Sequence, residues 1–127
     1  MGKLILALIL ALALGLSFPS SRAVIVERAE PMLTPAYRWV TVQELNQIVD
    51  DLERHQDIRG PLPSGRGEFD AWLNQRYPQP RSRHDAWGTR YQLRVVGERF
   101  QVISAGPDGV FDTEDDVIRE GQRIPRR

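Results

Sequence analysis

The chain has 127 residues, enough for one domain or one domain with an appended segment, and its 17 Lys+Arg balance 17 Asp+Glu. That neutrality excludes a protein that grips nucleic acid through bulk positive charge. The absence of cysteine excludes disulfides, thiolate metal centres and cysteine nucleophiles, and two histidines alone do not make a zinc site.

Met1-Gly2-Lys3 precedes a 13-residue apolar run, residues 4–16, followed by Ser17-Phe18-Pro19-Ser20-Ser21-Arg22-Ala23. A basic start, a short apolar core and a small-x-small end form the pattern of a secretory signal, with cleavage after Ala23. The run is shorter than the about 20 residues a spanning helix wants. Residues 1–23 therefore read as a signal peptide or, uncleaved, as an N-terminal anchor. No cysteine follows, which excludes a lipid-modified one. The remainder is expected to be periplasmic or secreted, or held at the inner membrane if the signal stays on. Removing residues 1–23 leaves 104 residues, 15 basic against 17 acidic, for a net charge of −2.

Residues 24–36 contain Pro31 and Pro35 and read as an extended lead-in. Thr41 is a candidate N-cap, and Glu44 three residues later completes a capping box. Val42, Leu45, Ile48, Val49 and Leu52 recur at spacings of three and four, an apolar helical stripe, with Asp50, Asp51, Glu53 and Arg54 on the other side or at the end. Tyr37, Trp39 and Val40 are expected to pack at the helix entrance. The helix should end before Gly60-Pro61. Residues 57–67 hold three Gly and two Pro and form a loop, which is no phosphate cradle because no GK[ST] follows. A short helix is expected over residues 68–76, with Phe69, Trp72 and Leu73 in the core, closed by Pro78 and Pro80.

Residues 90–96 alternate, with Tyr91, Leu93 and Val95 on one face. Residues 99–105 do likewise, with Phe100, Val102 and Ser104 opposed to Gln101 and Ile103. Gly97 between them permits a positive-φ turn, so the two runs form an antiparallel hairpin. A third short strand is expected at residues 117–119. The fold class is α+β: an N-terminal amphipathic helix packed on a small antiparallel sheet, preceded by a signal peptide. The globular domain spans residues 37–120, and residues 121–127 form a basic tail expected to be a solvated end.

Between the second and third strands lies Gly106-Pro107-Asp108-Gly109-Val110-Phe111-Asp112-Thr113-Glu114-Asp115-Asp116, with five acids and no base. Gathering carboxylates in one turn is unfavourable without a compensating cation. Several hard oxygens suit Ca²⁺, which takes six to eight. The competing reading is a solvated acidic loop without an ion. The spacing is not that of an EF-hand. Asp112 is a candidate ligand on charge and spacing alone.

Asp85-Ala86-Trp87-Gly88-Thr89-Arg90-Tyr91, then Phe100-Gln101-Val102-Ile103-Ser104-Ala105-Gly106-Pro107-Asp108-Gly109, then Asp115-Asp116-Val117, resembles the globular domain of type II secretion G-type pseudopilins. That family reads D-P-W-G-x-x-Y, an apolar strand, S-x-G-x-D-G and a late acidic D-[ILV], in the same order and spacing. The resemblance covers residues 37–119. It implies a non-enzymatic structural role with secretion or pilus components as protein partners and no nucleic acid. It also implies a calcium ion held by Asp108, Asp115, Asp116 and the carbonyl of Ala105. One departure stands out. The Gly-Phe-Thr-Leu-x-Glu start of the family's long assembly helix is missing, and Arg28, Glu30 and Pro31 are expected to prevent such a helix from forming after Ala23.

A second functional reading is a small periplasmic enzyme or inhibitor that uses the acidic-loop carboxylates directly. His84-Asp85 is its other candidate, a base beside its orienter, although adjacent residues point poorly at one another.

Overall fold

The structure, a computed structural model, describes residues 3, 5–7, 9, 10 and 19–125, and the side chains of all of these except 19–32. Most of the signal segment therefore lies outside the described residues, as do Arg126 and Arg127 of the tail. Among the described residues no helix is long and apolar enough to cross a membrane. The chain forms two compact units, Met1–Pro35 and Ala36–Arg127. The sheet and the buried core belong to the second.

Helix α1 is Pro19–Arg59 and α2 is Gly65–Arg76, followed by a 3₁₀ turn at Pro80–Arg83 and strands β1 Gln92–Val96, β2 Arg99–Ser104 and β3 Val117–Gln122. The architecture is α+β, a long helix with a three-stranded antiparallel sheet in the order β1-β2-β3. The α1 stripe is buried as its spacing requires: Leu45, Ile48, Val49 and Leu52 meet Phe69, Leu73, Tyr91, Phe100, Val102 and Val117. Trp72 and Leu93 pack against this cluster half-buried.

Several expectations are corrected. The extended lead-in at residues 24–36 is helical, as is the stretch after Ala23 where a helix was excluded. Pro31 and Pro35 each delete one backbone hydrogen bond, at a cost of about 3 kcal/mol in a helix interior, but Ala29, Glu30, Met32, Leu33 and Ala36 around them are good helix formers. Thr41 is consequently no N-cap. It sits inside α1, fully buried, and its hydroxyl accepts the Ala86 N–H at 3.3 Å. Trp39 is 66% exposed and Val40 is exposed as well, so neither packs at an entrance, while Tyr37 meets the Trp87 ring edge-on at 6.2 Å. Asp51, assigned to the solvent side, is only 7% exposed.

Helix α2 starts three residues earlier than expected because Glu68 reaches back to Ser64, accepting its N–H at 2.7 Å and its hydroxyl at 2.9 Å. These two donors hold the Glu68 carboxyl below its ordinary pKa. The hairpin register pairs Leu93 with Val102 and Val95 with Phe100, although Val95 itself remains exposed. Ile103, expected on the outer face, is buried too. Arg94 on that face holds Asp112 at 2.8 Å and folds the acidic connection back towards it. Strand β3 runs to Gln122, longer than expected, because Gly121 lies flat under the Phe100 ring, where any Cβ would overlap it. The start of the tail is built in as well: Arg123 N–H donates to Glu98 O at 2.9 Å, and Ile124 N–H to Gln56 Oε1 at 2.8 Å.

Candidate functional site

The tryptophan-bearing motif forms the base of the site. Asp85 is buried, and its Oδ1 accepts the N–H groups of Trp87 at 3.1 Å and Thr89 at 2.8 Å, which closes a turn with Gly88 at φ 88°. Its Oδ2 accepts the Ser104 hydroxyl at 2.7 Å, and Ser104 Oγ in turn accepts the Gly106 N–H at 3.1 Å. One carboxylate thereby ties the turn, the end of β2 and the start of the acidic connection together. The same turn is fastened to α1 by Thr41 and by the Tyr91 hydroxyl, which donates to Glu44 Oε2 at 2.5 Å. Burial, reinforced by the neighbouring Glu44 charge, raises the Tyr91 pKa far above its ordinary value.

This geometry dissolves the His84-Asp85 pair. His84 Nδ1 donates to the Pro80 carbonyl at 2.7 Å, and both Asp85 oxygens hold other donors.

The acidic connection starts at Gly106, φ 71°, where a Cβ would run into the Asp115 carbonyl, so the two arms of the loop touch there. Asp108 Oδ1 accepts the Val110 N–H at 3.0 Å, and its Oδ2 accepts the Thr113 hydroxyl at 2.7 Å. Asp116 Oδ2 accepts the Asp112 N–H at 2.8 Å. Asp112 itself adopts φ 64° and turns its carboxylate to Arg94. Ala105 is buried, Asp115 half-buried and Glu114 exposed. Backbone and threonine donors thus link Asp108 to Thr113 and Asp112 to Asp116. Among the described residues, however, no three His, Asp or Glu side chains are gathered as metal ligands. One atom is left over: Asp116 Oδ1 is buried without a hydrogen-bond partner. Buried polar atoms are nearly always partnered, so an orphan carboxylate oxygen fits a cation.

A second constellation escaped the sequence reading. Asp51 accepts Arg76 at 3.0 Å and the Tyr77 hydroxyl at 2.5 Å, and Arg54 lies 3.6 Å away. Burial and the Asp51 carboxylate raise the Tyr77 pKa, and Asp51 raises that of Arg76. Beside them Trp72 Nε1–H donates to His55 Nδ1 at 3.3 Å. The spacing did carry a signal, since Asp51 stands three residues after Ile48 on the buried face.

Around the turn, carboxylates are spent on holding backbone and hydroxyl groups, which is the arrangement of a structural α+β domain. The chain belongs to the family of type II secretion system protein G, whose model matches residues 43–120. That family is structural rather than enzymatic, extracytoplasmic and anchored at the inner membrane, and membership implies interaction with other secretion-system components. No curated protein and no solved structure matches the chain.

Proposed function

We propose that this chain is a non-enzymatic structural component of a type II secretion assembly, with its globular domain displayed in the periplasm and a Ca²⁺ ion in its acidic connection. Residues 1–23 serve as its signal or anchor. The observation that carries the calcium reading is the orphan Asp116 Oδ1 at the closing end of a loop holding five acids. Asp108, Asp115 and Asp116 and the carbonyl of Ala105 would hold the ion, with Asp112 exchanging its exposed Arg94 partner for it. The ion supplies charge compensation, which lowers the repulsion among these carboxylates and fixes the start of β3.

The test is a thermal melt of the full chain in millimolar Ca²⁺ and in chelator, together with metal analysis after dialysis. A ligand at about a hundredfold excess over its Kd adds about 2.7 kcal/mol, which raises the midpoint by on the order of 10 °C in a domain of this size. An unchanged midpoint with no retained calcium rejects the reading.

A further inference from the structure

We infer that the acidic connection of one copy docks into the basic cleft of a second copy, with Glu114 against Arg59 and Val110 between Ile58 and Trp72. The cleft, of about 350 Å³, runs between the last turns of α1 and the exposed side of α2. Arg54, Arg59 and Arg76 rim it, and among the described residues Arg59 makes no ion pair. The lone acid in the cleft, Asp51, is already spent on Arg76 and Tyr77. Ile58 is exposed and Trp72 half-buried, so the cleft offers apolar surface within a positive frame.

The acidic connection has the complementary character. Val110 stands exposed at its tip, and Glu114 is an exposed acid that makes no ion pair among the described residues. Neither belongs to the proposed calcium ligands, so both remain available whether or not an ion is held.

The two surfaces cannot meet within one molecule. Ser104 and Val117, which flank the connection, lie at the end of the sheet tied through Asp85 and Ala86 to Thr41. The opposite end of the sheet, at Gln122, bonds Gln56 and Glu53 of α1, close to the cleft. Along the helix, Thr41 and Arg59 are about 27 Å apart at roughly 1.5 Å per residue. A convex acidic surface at one end and a concave basic one at the other make a head-to-tail contact, which propagates as an open row unless a rotation closes it. A single loop in such a cleft buries well under the about 1,200 Å² of a stable interface, so the contact is weak per copy and is best read by trapping.

The inference goes beyond the structural role proposed above and does not need the calcium ion. Because the chain contains no cysteine, full-length Ile58→Cys and Val110→Cys chains can be mixed and oxidised. In an equimolar mixture the mixed disulfide dimer is expected to exceed each like-with-like dimer by well over the statistical factor of about two. Adding Arg59→Glu to the Ile58→Cys chain should cut it about tenfold or more, because like charges now face each other. Adding Glu114→Arg to the other chain should restore it. Mixed dimer at no more than about twice each like-with-like dimer, or yield indifferent to the charge reversals, overturns the proposal. Lost cross-linking with the calcium-dependent melt intact rejects the docking alone, and the reverse result rejects the calcium site alone. All four substituted side chains are exposed, and circular dichroism of each variant is to be recorded to check that it is folded.

Discussion

Asp85 and Asp116 stand at the same end of the sheet, one bonded to Ser104 and the other next to its partner Val117, and the chain treats them oppositely. Asp85 is buried with both oxygens filled by three donors from its own chain, whereas Asp116 carries one oxygen that is satisfied and one that is buried with nothing. The first is a closed knot that fixes the backbone. The second leaves one buried oxygen without a hydrogen-bond partner, and the calcium proposal rests on that oxygen. Both sit in motifs that resemble the family pattern, so a motif match by itself does not separate structure from ligand binding. The hydrogen-bond partners of each carboxylate are what distinguish the two here.

The comparison breaks most visibly at Asp85. Replacing it with alanine leaves the Trp87 and Thr89 N–H groups and the Ser104 hydroxyl without their acceptor. Each buried orphan costs about 1–3 kcal/mol, so Asp85→Ala should lose about 3–5 kcal/mol in urea denaturation. That is a large share of the stability of a small domain. A loss under about 1 kcal/mol would mean that water replaces the carboxylate freely and that the knot is not closed.

Much of this region was legible in the sequence. The apolar stripe of α1 and the alternation of β1 and β2 have fixed periods, and burial follows period wherever one face is covered. Gly97 announced its turn. The connections across the chain were not legible, because Asp85 to Ser104 and Asp51 to Tyr77 join residues that no local pattern relates. Thr41 and Glu44 illustrate the cost: their spacing fits a capping box, but α1 continues upstream, and tertiary contacts use both side chains instead. Ile103 and Gly121 were misread for a related reason. One is buried on the face expected to be outer, and the other lies under the Phe100 ring, a neighbour far away in sequence.

The same closed region sets the alkaline limit. Tyr91 is buried and hydrogen-bonded to Glu44, so its folded pKa lies above the unfolded value of about 10. Below that value both states are protonated and the full stability is present. As pH rises through it, the unfolded state releases a proton that the folded state keeps, and stability falls by about 1.4 kcal/mol per pH unit. Between pH 10 and 12 a loss of about 2–3 kcal/mol is expected, with absorbance of the phenolate appearing together with unfolding. Lys3 is the only lysine, so tyrosines dominate this limb. Tyr77 is raised as well and adds to this limb, so Tyr91→Phe should remove only the Tyr91 share of the slope, and an unchanged slope would assign the whole limb to Tyr77.

Gly106 joins the two regions. At φ 71° a side chain is strained, and its Cβ would collide with the backbone carbonyl of Asp115. Gly106→Ala should cost about 2 kcal/mol in the same denaturation assay, from backbone strain and displacement of the loop arm together. A neutral result would show that the connection moves independently of the knot.

Asp116→Asn gives the smallest change in stability and the sharpest distinction. The side-chain amide oxygen can still accept the Asp112 N–H, the partnerless oxygen becomes an NH₂ group, and the connection loses one of its five negative charges. Lost repulsion and the exchanged buried group oppose each other, so in chelator the variant should lie within about 1 kcal/mol of the parent. In calcium it should fail to gain the rise in midpoint expected of the parent. At Asp85 the same exchange sets an NH₂ group against donors that have no other acceptor, so Asp85→Asn loses stability with or without calcium. If Asp116→Asn also destabilises the domain equally in chelator and in calcium, Asp116 is a structural carboxylate like Asp85, and its buried oxygen is satisfied by the chain itself.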